Sequence, residues 1–119
     1  MNPLEHIHHL QNELQKRLGT WDKIKNDSDR QQFVNQNLLA IFEETVEVMR
    51  CTAYKNSDVM PFGWKKTQLW NKEEFLKELV DLDHFITNLY LVGGFTWEDR
   101  YKAYCSKNGV NHERQDKNY

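Results

Sequence analysis

Apolar residues recur at helical spacing in successive blocks of the chain, and each block predicts a helix. The first block is Leu4, Ile7, Leu10, Leu14 and Leu18. Asn2-Pro3-Leu4-Glu5 supplies an N-cap, a proline at the first helical position and a glutamate at the third, and Gly19 suits the residue just past the end. Residues 20–29 are polar and irregular. Ser28 or Asp29 then caps a second helix running to about Tyr54 through Phe33, Val34, Leu38, Ile41, Phe42, Val46 and Met49. A third opens at Asn71 with Glu74 three positions on, carries Phe75, Leu79, Leu82, Ile86 and Leu89, and ends near Gly93-Gly94. Thr96 with Asp99 starts a fourth, ending about Lys107. No segment alternates with the period of a strand, so the class is all-α.

Between the second and third helices, residues 55–70 lose the pattern. Asn56, Ser57, Asp58, Pro61 and Gly63 are breakers, with Phe62, Trp64, Lys65 and Lys66 among them. A loop this long in a small domain is usually functional or disordered, and its aromatics predict order. The lysine pair suits a site that handles negative charge.

Carboxylates interrupt both long apolar faces. Ala40, Glu44, Glu47, Cys51 and Tyr54 fall on one line of the second helix, while Glu74, Glu78 and Asp81 edge the apolar face of the third. Each helix thus offers two acids three residues apart. If the helices pack face to face, four carboxylates converge in a partly dry site. Keeping all of them ionised there without a countercharge costs several kcal/mol, which a divalent cation relieves. Glu43 lies about 100° round the helix from Glu44 and reads as a solvent-facing or supporting acid.

The same helices are apolar around more than one stripe. Leu38, Leu39, Ile41, Phe42, Val46, Val48 and Met49 on one, and Phe75, Leu76, Leu79, Val80, Leu82, Phe85 and Ile86 on the other, predict burial on two sides. A lone small bundle has one inside, so the expectation is a homodimer.

Length and charge narrow the classes. With 119 residues the chain is expected to form one domain, residues 1–119. A net charge of −2 gives no steering towards nucleic acid or an acidic membrane surface. Cys51 and Cys105 are too few for a disulfide framework, no secretory leader opens the chain, and no apolar run approaches the roughly twenty residues of a membrane span. A cytoplasmic protein is expected, in the host cytoplasm if phage-encoded. His6, His8 and His9 splay onto different faces and read as ordinary surface histidines.

Taken together, these pieces resemble the all-α NTP pyrophosphatases, the group of MazG proteins and dimeric dUTPases. The resemblance rests on Glu44 and Glu47 inside EETVE, followed by Glu78 and Asp81 inside KELVDLDHF. LQNELQKRL in the first helix, the GWKK beginning at Gly63 and the closing KNGVNHERQDKNY extend it over nearly the whole chain. The ending is similar to that of dimeric dUTPases and phage dCTP/dUTP pyrophosphatases. The resemblance implies a four-to-five-helix bundle completed by homodimerisation. It also implies hydrolysis of a deoxynucleoside triphosphate, dUTP or dCTP first, to monophosphate and pyrophosphate. The implied cofactor is Mg²⁺, two or more per site, with Mn²⁺ as a substitute. Glu44, Glu47, Glu78 and Asp81 are the implied ligands, and Glu44 the base for the attacking water. Lys107, Asn108, Asn111, Arg114 and Tyr119, with Lys65 or Lys66, are implied for phosphate and sugar. Residues 107–119 would then be a substrate-covering tail, where composition alone predicts a frayed one. Gln11 and Gln15 are implied to read the base edge, each amide offering a donor and an acceptor. His84 is expected to pack or hydrogen-bond beside Asp81.

Other readings remain open from the sequence. Glu5 with His8 and Asp81 with His84 have the spacing used by di-iron or di-manganese carboxylate bundles, though Glu5 and His8 lie at a helix start. A small helical interaction protein would use the acidic face and basic tail for docking. Within the enzyme class, a MazG-like pyrophosphatase acting on dGTP or a modified nucleotide is the alternative.

Overall fold

The computed structural model describes residues 1–117, and among them every regular element is a helix. In chain order these are α1 (Pro3–Arg17), α2 (Thr20–Lys23), α3 (Asp27–Arg50), α4 (Lys72–Val92) and α5 (Trp97–Asp116). They fall into two compact units. One holds Met1–Lys23 and the chain from Asn88 on; the other is Ile24–Thr87.

In the first unit, α1 begins as expected: Asn2 Oδ1 accepts from the Glu5 N–H at 2.8 Å, with Pro3 in the first turn. It ends where Gly19 takes the left-handed φ of 73°. The inward face of α1 is polar, and its leucine row faces outward. His8, Gln11 and Gln15 are buried, whereas Ile7, Leu10, Leu14 and Leu18 are exposed. The buried polar groups find partners, as burial requires. Gln11 Nε2 donates to Asn88 Oδ1 at 2.7 Å, and Thr20 Oγ donates to Gln15 Oε1. The indole N–H of Trp21 ties α2 to α1 through Asn12 Oδ1, 2.8 Å away.

The end of α4 is closed by paired bonds, Phe95 N–H to Tyr90 C=O at 3.0 Å and Gly94 N–H to Leu91 C=O at 3.1 Å, with Gly94 at a φ of 79°. A reciprocal capping box between Thr96 and Asp99 then starts α5. This helix does not stop near Lys107 but runs to Asp116, and residues 101–117 are exposed along its length. The frayed-tail expectation is therefore corrected for residues 107–116. Polar composition all round removed the periodic signal without removing helix propensity.

In the second unit the cap of α3 is Asn26, whose Oδ1 accepts from the Asp29 N–H at 2.8 Å, rather than Ser28 or Asp29. The helix ends at Arg50, short of Tyr54. There Thr52 Oγ1 donates to the Met49 carbonyl at 2.7 Å, and the Cys51 carbonyl accepts from the Asn71 N–H at 2.9 Å. Both bonds take carbonyls at the helix end that further turns would otherwise occupy or leave bare. The loop that follows is ordered around the buried Asn56, which donates to the Gln68 carbonyl at 2.7 Å and accepts from the Asp58 N–H at 2.8 Å. Trp64 and Lys65 both donate to the Lys55 carbonyl, at 2.8 and 2.9 Å. Lys55 in turn lays its ammonium over Tyr54 and Trp64, 5.2 and 5.6 Å from the ring centroids.

Among the described residues no large apolar side chain is buried. Those of the second unit are half-buried or exposed, with Phe42 78% and Leu39 65% accessible on α3. No helix among the described residues is long and apolar enough to cross a membrane.

Candidate metal centre

Two helices of the second unit carry the acidic cluster. α3 brings Glu44, and α4 brings Glu78 and Asp81, three residues apart on one face. One carboxylate oxygen from each lies within 4.8 Å of the others, and all three side chains are half-buried. One oxygen of Glu44, Oε2, is buried and meets no hydrogen-bond partner. Partial burial, a hydrogen bond shared with Glu44, and the nearby charges of Asp81, Glu44 and Glu47 hold the Glu78 carboxyl above the usual carboxylate range. These groups repel one another when ionised, and a cation would relieve all three causes together. Their hard oxygen donors suit Mg²⁺ or Mn²⁺ better than a soft metal. No histidine joins the cluster, which leaves the di-iron spacing without support among the described residues.

Glu47 stands apart from this cluster. Its Oε1 is held by Arg50 Nη1 at 3.0 Å in an exposed i, i+3 pair. It still acts on the cluster at a distance, as one of the charges that raise Glu78. Cys51, the residue that caps the end of α3, is half-buried, and its thiol is pushed up by that burial and by Glu78, Glu74 and Glu47. The thiol is thereby kept protonated and poorly nucleophilic. Its position beside the acids is legible from the spacing of Glu44, Glu47 and Cys51; its suppressed acidity is not.

The remaining candidates lie as follows. Lys65 and Lys66 are exposed on the loop of the second unit. In the first unit, Lys107, Asn108, Asn111 and Arg114 are exposed on α5, and Lys107, Asn111 and Arg114 share one line at i, i+4 and i+7. Tyr119 lies outside the described residues. Gln11 and Gln15 are in the first unit, buried and hydrogen-bonded as above. His84 is exposed on α4. His8 is buried rather than on the surface, 6% accessible, with Arg100 Nη1 3.4 Å from its Nε2.

Asn88 was missed in the sequence, although it interrupts the apolar run FITNLYLV of α4 and so carried the mark of a buried polar partner.

No family model matches the chain, and no curated protein or solved structure matches it either.

Proposed function

We propose that the chain is a Mg²⁺-dependent pyrophosphohydrolase of deoxynucleoside triphosphates, of the MazG-like all-α kind, acting on dUTP or dCTP. The observation that carries the reading is the cluster of Glu44, Glu78 and Asp81 with its buried, unpartnered Glu44 Oε2. A bound Mg²⁺ would neutralise triphosphate charge and stabilise the departing oxygen. Glu44 takes the proton of the attacking water as that water's oxygen bonds the α phosphorus and the bond to the bridging oxygen breaks. Glu78 and Asp81 would hold the cation together with Glu44. A cation bound there would favour the ionised form of Glu78, opposing the burial and neighbouring charges that raise its carboxyl. On this reading Glu47 would be the fourth ligand, which would require it to leave Arg50.

The same reading assigns phosphate and sugar contacts to Lys65, Lys66, Lys107, Asn108, Asn111, Arg114 and Tyr119. It assigns the base edge to Gln11 and Gln15. Gln11 commits an amide N–H to Asn88 and Gln15 commits its carbonyl to Thr20. Gln11 keeps its carbonyl and one N–H, and Gln15 keeps both of its N–H groups, so an acceptor and donors remain for a uracil or a cytosine edge alike. A homodimer belongs to the proposal, because it would cover the apolar rows that this chain leaves exposed.

The test is a panel of dNTPs assayed for monophosphate and pyrophosphate with Mg²⁺ and with EDTA. Product from dUTP or dCTP in Mg²⁺ alone supports the reading. No product from any dNTP, or product undiminished in EDTA, overturns it.

A further inference from the structure

The buried imidazole of His8 has no part in the proposed hydrolysis, and its surroundings give it a different role. It faces two other elements of its unit. From α5, Arg100 brings Nη1 to 3.4 Å from His8 Nε2. From α4, the Tyr90 ring stands with its centroid 6.2 Å from that of His8. Arg100 also lays its guanidinium over Tyr90, 4.4 Å from the ring centroid. On its own helix the nearest turn offers Glu5, whose backbone N–H is capped by Asn2. Asp99, beside Arg100, is engaged by Thr96, and its carboxyl is held low by the backbone and side-chain bonds of that cap.

Arginine has donors only and stays charged. The contact therefore requires a lone pair on Nε2, and the imidazole must be neutral with its proton on Nδ1. Protonating His8 turns Nε2 into a second donor and sets a cation against the guanidinium in a place largely closed to water. We propose that His8 is an acid-sensitive latch between α1 and α5: neutral, it accepts from Arg100 and holds the helices together; protonated, it repels Arg100 and frees α1 from α5, while Arg100 keeps its seat over Tyr90. Because α5 carries the exposed row of Lys107, Asn111 and Arg114, the latch controls where that row is held.

Burial and the Arg100 charge both lower the imidazole below its ordinary 6.5, so the neutral form is retained at physiological pH. The folded state resists protonation while the unfolded chain accepts it. The latch is intact above the unfolded value and weakens as pH falls through it towards the folded one.

Amide hydrogen exchange, expressed as protection factors so that the pH dependence of the chemistry divides out, reads the latch. In the full chain, protection of the α1 amides around His8 should fall about tenfold or more between about pH 7.5 and about pH 5. In His8→Gln, whose side-chain oxygen can accept from Arg100 but cannot titrate, the same amides should keep their protection. Equal loss in both proteins, or loss in neither, overturns the proposal. Should His8→Gln fail to show a helical circular dichroism spectrum, NMR titration of the wild-type His8 ring decides alone. A midpoint below 6.5, with protection lost over the pH range between 6.5 and that midpoint, supports the latch; a midpoint at or above 6.5, or protection that holds across that range, overturns it.

Discussion

Gln11 on α1 and Asn88 on α4 are joined by a buried hydrogen bond of 2.7 Å between amide nitrogen and amide oxygen, and each residue is only 4% accessible. The bond pins the inward, polar face of α1. Truncating one partner strands part of a buried polar pair, so Gln11→Ala should cost about 1–3 kcal/mol in urea unfolding. The double variant with Asn88→Ala should cost less than the sum of the two single changes. Strict additivity would show that the pair contributes nothing jointly.

Glu78 sets a pH dependence for the metal-free protein. Its folded-state value lies above its ordinary 4.5, chiefly through burial and the hydrogen bond with Glu44. The stability tied to its proton is complete below the unfolded value and is lost as pH rises through the folded one. In EDTA the melting temperature should therefore decline from about pH 5 to neutrality, and Mg²⁺ should restore it at neutral pH by binding the ionised cluster. A flat profile that Mg²⁺ does not move would remove the cation from this site.

Glu47 and Asp81 should separate on neutralisation. Asp81 lies in the cluster, whereas Glu47 is paired with Arg50. Asp81→Asn should lower kcat by about a hundredfold or more, and Glu47→Gln by less. Asp81→Asn should also melt higher than wild type in EDTA, because a repelling charge is gone. Wild-type turnover by Asp81→Asn at saturating Mg²⁺ would contradict the proposed ligand set.

Gly63→Ala should disrupt the long loop. A Cβ at Gly63 would stand 2.6 Å from the backbone C and O of Asn56 and from the Lys55 carbonyl oxygen. Backbone at that distance cannot step aside as a flexible side chain can. Destabilisation of about 1–3 kcal/mol is expected, with loss of the Trp64 environment seen in fluorescence. An unperturbed variant would show that the loop is free to rearrange.

A homodimer is predicted from the apolar rows that stay exposed on α3 and α4, Leu38, Leu39, Phe42, Leu76 and Val80 among them. An obligate interface buries upwards of about 2,000 Å² in total. Sedimentation equilibrium should give twice the chain mass at micromolar concentration, and Phe42→Glu should lower both the dimer fraction and the stability. A monomeric wild type with full activity would rule this assembly out.

Local chemistry was enough to place the helix starts at Asn2, Asn71 and Thr96, the stops at Gly19 and Gly94, the all-α class and the acid pairs, because caps and glycine turns act over a few residues and leave a mark in the sequence. The same reading could not place the ends of α3 and α5. The first depends on Asn71 reaching back to the Cys51 carbonyl, and the second lies in a polar helix without periodicity. It also could not say which face of α1 turns inward. Leucine periodicity marks a face that avoids water, but whether this chain or another covers it is a tertiary matter, and here Asn88 and Arg100 arrive from distant positions to meet Gln11 and His8. The cluster divides in the same way. Spacing put Glu44 and Glu47 on one line and Glu78 and Asp81 on another; only packing decided that Glu44 joins Glu78 and Asp81 while Glu47 turns to Arg50, since side-chain direction and the competing cation are set in three dimensions.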